Sequence, residues 1–143
     1  MLLWTLAFFS GGCATTSPGI VTGDGGAISE REIAGLLREN PLKPDQNLGV
    51  SLVRQSEHAS VHLVQVRWAE KPHIHTTHDL TVFVIRGGGQ MTIGTDTKPV
   101  RKGDVIHIPA GARHFFVNRG GEIAVAVAVF SPPFDGKDIE PVK

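Results

Sequence analysis

The stretch "GDVIHIPAGARHFFVN", residues 103–118, decides the fold. Gly103-Asp104 makes a hairpin turn, Pro109-x-Gly111 makes a second turn that cannot continue a sheet, and His114 restarts a strand. Outward from it, apolar runs of period two fall at 49–54, 59–68, 80–86, 89–94, 104–108, 113–118 and 122–130, punctuated by Gly, Pro and Asp. "EIAVAVAVF", residues 122–130, alternates small Ala with larger Val, which suits the two faces of a strand in a small tapering barrel. Seventeen Gly and nine Pro beside only two Trp and no Tyr fit short strands joined by tight turns. The sequence therefore predicts an all-β, antiparallel domain.

One short helix precedes it. In "SEREIAGLLREN", Ser29 is placed as an N-cap, with Ile33, Leu36 and Leu37 at helical spacing before Asn40-Pro41. A chain of 143 residues fits a single folded domain, predicted over 29–143.

The chemistry gathers in "KPHIHTTHDL", residues 71–80, which holds three of the seven histidines. On an extended strand His73 and His75 point to the same face, roughly 6–7 Å apart at Cα, where two neutral imidazoles can share one metal ion. His58 and His62 have no partner at ligand spacing and are read as solvated or satisfied in the core; Arg86 is read as a surface charge at a strand end. "GGG" at 87–89 precedes neither a helix nor Lys-Ser/Thr and is a hairpin turn, not a phosphate loop. No Ser lies in a nucleophile elbow, and the lone Cys13 is far in sequence from the histidines, so covalent catalysis is not indicated.

Residues 103–118 match the second cupin motif, G-x5-P-x-G-x2-H-x3-N, at Gly103, Pro109, Gly111, His114 and Asn118. The first cupin motif is met in part by His73, His75 and Gly87, with Arg67 in place of its leading Gly. Its glutamate is missing: the family spacing lands on Leu80, next to Asp79. The stretch from about 48 to 133 thus resembles a single-domain cupin, a jelly-roll (double-stranded β-helix) barrel. The resemblance implies one divalent transition metal (Zn, Fe, Mn, Ni or Cu) on His73, His75 and His114, either alone, with His78, or with Asp79. Leu80, Val82 and His107 are expected on the cavity wall, with a small organic molecule as ligand. Cupins include both catalysts and proteins that only bind. The missing glutamate favours a binding protein, with a metal-dependent dioxygenase, isomerase or decarboxylase as the alternative.

Residues 1–13 end an apolar run, too short to span a bilayer, at Gly11-Gly12-Cys13 and resemble a bacterial lipoprotein signal. The resemblance implies lipidation of Cys13 and a location on the outer side of a bacterial membrane, with residues 14–28 as a Gly-rich tether. Lys plus Arg equals Asp plus Glu, at 14 each, which gives no field for nucleic acid. Membrane contact is expected through the lipid alone, and a homodimer is expected from the family's habit of pairing barrel edges.

Overall fold

A computed structural model describes residues 17–142. The chain divides into two compact units, Met1–Glu39 and Asn40–Lys143.

In the first unit, β1 (Gly19–Asp24) and β2 (Ala27–Glu32) form an antiparallel hairpin, followed by helix α1 (Ile33–Glu39). Two expectations are corrected here. The Gly-rich stretch read as a tether contains a hairpin, because Gly25 (φ 56°) and Gly26 (φ 95°) supply the two positive φ angles of a tight two-residue turn. Ser29 does not cap the helix; it pairs with Thr22 across the hairpin, Oγ to Oγ1 at 2.7 Å, and the helix starts at Ile33. The helix thus belongs with the hairpin, in the compact unit that ends at Glu39.

The second unit holds β3 (Leu48–Gln55), β4 (Ser60–Val66), β5 (His73–His75), β6 (Asp79–Arg86), β7 (Gly88–Ile93), β8 (Asp96–Arg101), β9 (Val105–Ile108), β10 (His114–Asn118), β11 (Ala124–Ser131) and β12 (Ile139–Pro141). They form two five-stranded sheets, β12-β5-β10-β7-β8 and β3-β4-β11-β6-β9, with every pairing antiparallel. This is the expected all-β jelly roll. The inward faces supply a core that includes Val66, Leu80, Val84, Ile108, Phe116 and Phe130. Burial of such side chains is the main favourable contribution to the fold, about 1.5–3 kcal/mol each relative to exposure.

The motif residues have visible mechanical roles. Gly103 and Gly111 adopt φ of 95° and 77°, conformations costly for any residue with a Cβ. The Gly111 amide donates to the His75 carbonyl at 2.7 Å, which ties the two histidine-bearing segments together. Asn118 Nδ2 donates to the carbonyls of Val66, Arg67 and Glu122 at 3.1, 3.0 and 2.7 Å, while its Oδ1 accepts from the Gly120 amide at 2.8 Å.

Candidate metal centre

His73 and His75 lie on β5 and His114 opens β10, the neighbouring strand, where it stands directly opposite His73. Alternation puts both β5 imidazoles on one face, and the register brings the third to meet them. The ring centroids are 4.3 Å (His73–His114), 5.2 Å (His73–His75) and 5.5 Å (His75–His114) apart. One ring nitrogen from each lies within 4.8 Å of the others. Two ligands on one ion at about 2.1 Å stand at most about 4.2 Å apart, so a small ring rotation closes the set.

The other ring nitrogens are occupied. His73 Nδ1–H donates to the Lys71 carbonyl at 2.8 Å, and His114 Nδ1–H to the Ala112 carbonyl at 2.9 Å. A carbonyl only accepts, so in each neutral ring the proton sits on Nδ1 and Nε2 keeps its lone pair. His75 Nδ1 faces Asp138 Oδ1 at 3.2 Å, which makes the same assignment. Burial, reinforced by His73 and His75, depresses His114 to about 4, against the pull of the Ala112 carbonyl. Burial likewise lowers His75, overriding the opposing bond and charge of Asp138. Both rings are neutral at pH 7, the form that ligates metal. Three convergent imidazoles fit a divalent transition metal.

The remaining candidates fall elsewhere. Asp79 is exposed, and its Oδ1 accepts from the Ala110 amide at 2.9 Å, on the outside of the Pro109–Gly111 turn. It opens β6 with parity opposite to buried Leu80, which removes it as a ligand. His78 shares the parity of Leu80 and is buried, yet it turns away from His73 and His114. Its Nδ1 bonds Asp138 Oδ2 and its Nε2 the Pro133 carbonyl at 3.0 Å. Burial alone would lower its pKa, but the Asp138 bond, the Pro133 carbonyl and the neighbouring acidic charges raise it. Both ring nitrogens are engaged by acceptors, which favours the protonated ring and leaves no nitrogen aimed at the triad. His107 is also corrected: it lies on the outer face of β9 with Nδ1 3.3 Å from Thr81 Oγ1, while Ile106 and Ile108 point inward. His58 is exposed, and His62 is buried against Phe130 and Phe134, with Nε2 2.9 Å from Ser60 Oγ. Arg86 is exposed and sits 3.5 Å from Glu122.

Below the triad lies a cavity of about 150 Å³ lined by the three histidines and by apolar side chains, including Leu80, Val82, Val84, Met91 and Phe116. Leu80 and Val82 are where the sequence placed them. Glu70 also lines it, and was missed. Its Oε2 accepts from the Phe116 amide at 2.9 Å, and its pKa is raised by desolvation, against the opposing effects of His73 and that amide. Asp138 was missed too, because it lies in the C-terminal tail, 63 residues from His75. Cys13 and the rest of 1–16 lie outside the described residues.

A jelly roll carrying three grouped histidines on adjacent strands defines a class of small β-barrel proteins with a histidine cluster at the cavity. The cupin domain model Cupin_2 matches residues 60–130. An uncharacterized protein of Aquifex aeolicus is 35% identical over 108 residues, covering 76% of this chain and 88% of its own. The crystal structure of TT1209 from Thermus thermophilus aligns with a TM-score of 0.61 at 25% identity, covering 69% of this chain and 95% of that one. Pac13, a nucleoside dehydratase, aligns with a TM-score of 0.60 at 19% identity, covering 75% of this chain and 88% of its own, a likeness of fold alone. The chain belongs to the cupin superfamily.

Proposed function

We propose that this protein binds one divalent transition metal through His73, His75 and His114 and holds a small organic molecule in the adjoining cavity. The observation that carries the reading is the convergence of three rings whose Nδ1 atoms are already committed to acceptors, leaving Nε2 for an ion. A bound ion supplies a Lewis acid with open positions that can take an oxygen of the ligand. The apolar wall selects a ligand with an apolar body, and a volume of about 150 Å³ is of the size that holds a benzene ring. Zn, Fe, Mn, Ni and Cu all suit an imidazole donor set.

The test is elemental analysis of the untagged protein with zinc titration by chelator competition. The wild type is expected to carry one equivalent of metal and His73→Ala to lose at least 100-fold in affinity. Wild-type protein that neither carries nor takes up metal overturns the reading.

One observation favours a second reading, in which the site catalyses. Glu70 is a carboxyl beside the triad that desolvation keeps readier to hold a proton, as a proton-transfer group requires. As an enzyme the protein would be a metal-dependent dioxygenase, isomerase or decarboxylase; Glu70→Gln would then abolish turnover while leaving metal content intact. The absence of a motif glutamate among the ligands favours binding without conversion.

We also propose that Cys13 is lipidated and holds the protein on the outer side of a bacterial membrane, and that the barrels pair as homodimers. The leader-like sequence supports the first statement, and the pairing of barrel edges common among cupins supports the second. Palmitate labelling lost in Cys13→Ala, and light scattering of the purified protein, test the two statements.

A further inference from the structure

Outside the triad lies a second cluster, His75, His78 and Asp138, in which all three residues are buried and one atom of each lies within 4.8 Å of the others. Its spacing is that of a metal site, but its ring nitrogens are engaged in hydrogen bonds within the cluster and to the backbone. His78 Nε2 is spent on the Pro133 carbonyl, and the Nδ1 atoms of His75 and His78 both point at one carboxylate, His75 at Oδ1 and His78 at Oδ2. The cluster is a hydrogen-bonded chain with Asp138 at its centre.

The three candidate ligands obtain their orientation in different ways. His73 and His114 each donate to the carbonyl two residues upstream, Lys71 and Ala112, so the local loop fixes them. His75 ends a strand, and its acceptor comes from the far end of the chain. That acceptor is held from several sides. Thr77 donates to Asp138 Oδ2 through its amide and through its hydroxyl, each at 3.3 Å, and the Thr76 amide donates to the Asp138 carbonyl at 3.1 Å. The next residues form β12, which pairs with β5 so that Ile139 stands opposite His75 and Pro141 opposite His73. The Asp138 side chain is only 7% exposed, and burying a carboxylate is costly unless it is paired and hydrogen-bonded. Thr77 and His78 supply those hydrogen bonds to Asp138 Oδ2.

We propose that Asp138 is the positioning residue of the metal centre: delivered by the C-terminal strand and braced by His78 and Thr77, it holds the proton of His75 on Nδ1 and so presents Nε2 to the ion. The C-terminal tail is then a working part of the site. A carboxylate behind a ligating imidazole both fixes the ring and raises its basicity, and loss of such a partner lowers metal affinity 10–100-fold. The proposal rests on the three-histidine reading above.

The experiment combines long-range ¹⁵N–¹H NMR of the metal-free, ¹⁵N-histidine-labelled full chain with zinc affinity by competition against a chromophoric chelator. His75 in the wild type is expected as the Nδ1–H tautomer. Asp138→Ala is expected to mix its tautomers and weaken zinc 10–100-fold, Asp138→Glu to recover most of both, and Glu140→Gln, two residues on in β12, to change neither. Two results overturn the proposal: a wild-type His75 protonated on Nε2, or a folded Asp138→Ala that keeps zinc affinity within threefold. Should Asp138→Ala not fold, the wild-type tautomer decides alone. A wild type that takes up no zinc sinks the three-histidine reading, whereas intact zinc binding indifferent to Asp138 sinks only this one.

Discussion

At the scale of the residue, the two cupin motifs separate into positions that touch the ion's place and positions that hold the chain. Asn118 belongs to the second kind: its four hydrogen bonds join the end of β4, the turn after β10 and the approach to β11. At about 1 kcal/mol for each bond, and more where a buried carbonyl is left without a donor, Asn118→Ala is expected to cost about 3 kcal/mol. A urea titration checks it, and an unchanged midpoint would show that the bonds contribute nothing net. His73, His75 and His114 were legible because a period of two and a fixed motif spacing are local properties of sequence. Glu70 and Asp138 were not. Glu70 precedes β5 in irregular backbone where no period applies, and Asp138 reaches His75 only through a strand pairing that closes a loop of more than sixty residues. The reading of Asp79 and His78 illustrates the middle case: parity correctly separated their faces, but which inward direction His78 takes was set by an acceptor that local sequence does not reveal.

At the scale of the element, strands with apolar alternation were legible and those without it were not. The runs predicted near 80–86, 113–118 and 122–130 appear as β6, β10 and β11 with ends shifted by a residue or two. β8, "DTKPVR", was missed because it is exposed along nearly its whole length; it survives as an edge strand, the one place in a sheet where Pro99 does no harm. The β1–β2 hairpin was missed because its glycines read as tether, although Gly25-Gly26 is itself a turn signal. Pairing also sets a sharp demand at Gly89. A Cβ there would stand 2.1 Å from the Val117 carbonyl oxygen and 2.7 Å from Phe116 Cζ, against β10, the strand that carries His114. Gly89→Ala must push β7 away from β10 and is expected to lower stability by about 3 kcal/mol or more and to weaken zinc binding with it. Gly121→Ala, where a Cβ meets nothing within 4 Å and φ is not positive, is the matched control and is expected to leave thermal unfolding within a few degrees of the wild type.

At the scale of the whole molecule, the buried histidines link folding, metal and pH, and the sign follows from their protonation. His62, His75 and His114 are depressed below the ordinary histidine value of about 6.5, first of all by burial. The folded protein therefore resists charging them, and the unfolded chain takes up protons first as pH falls. Stability is full above about 6.5 and falls as pH drops towards the folded values; for His114, at about 4, the loss alone is on the order of 3 kcal/mol. Asp138 acts in the same direction at lower pH, and His78 in the opposite one. The Asp138 carboxyl would be raised by burial, but hydrogen bonds from His78, His75 and Thr77 bring it down to about 2, so its contribution holds above the ordinary carboxylate range and disappears only as pH approaches 2. His78, raised, contributes below its ordinary value and loses that contribution as pH climbs through its folded one. Metal adds to the first group, since an ion needs His73, His75 and His114 neutral, and a ligand that binds only the folded state stabilises by about 4 kcal/mol at a thousandfold excess over its dissociation constant. The expected result is a thermal midpoint that rises by several degrees when zinc is added at pH 7.5, a rise that shrinks steadily through pH 6 and vanishes by about pH 4. In metal-free protein the midpoint should still fall between pH 6.5 and 4, and His114→Gln should flatten that fall. Differential scanning calorimetry across this range decides it, and a zinc-induced rise that is the same at pH 4 as at pH 7.5 would exclude imidazole as the donor.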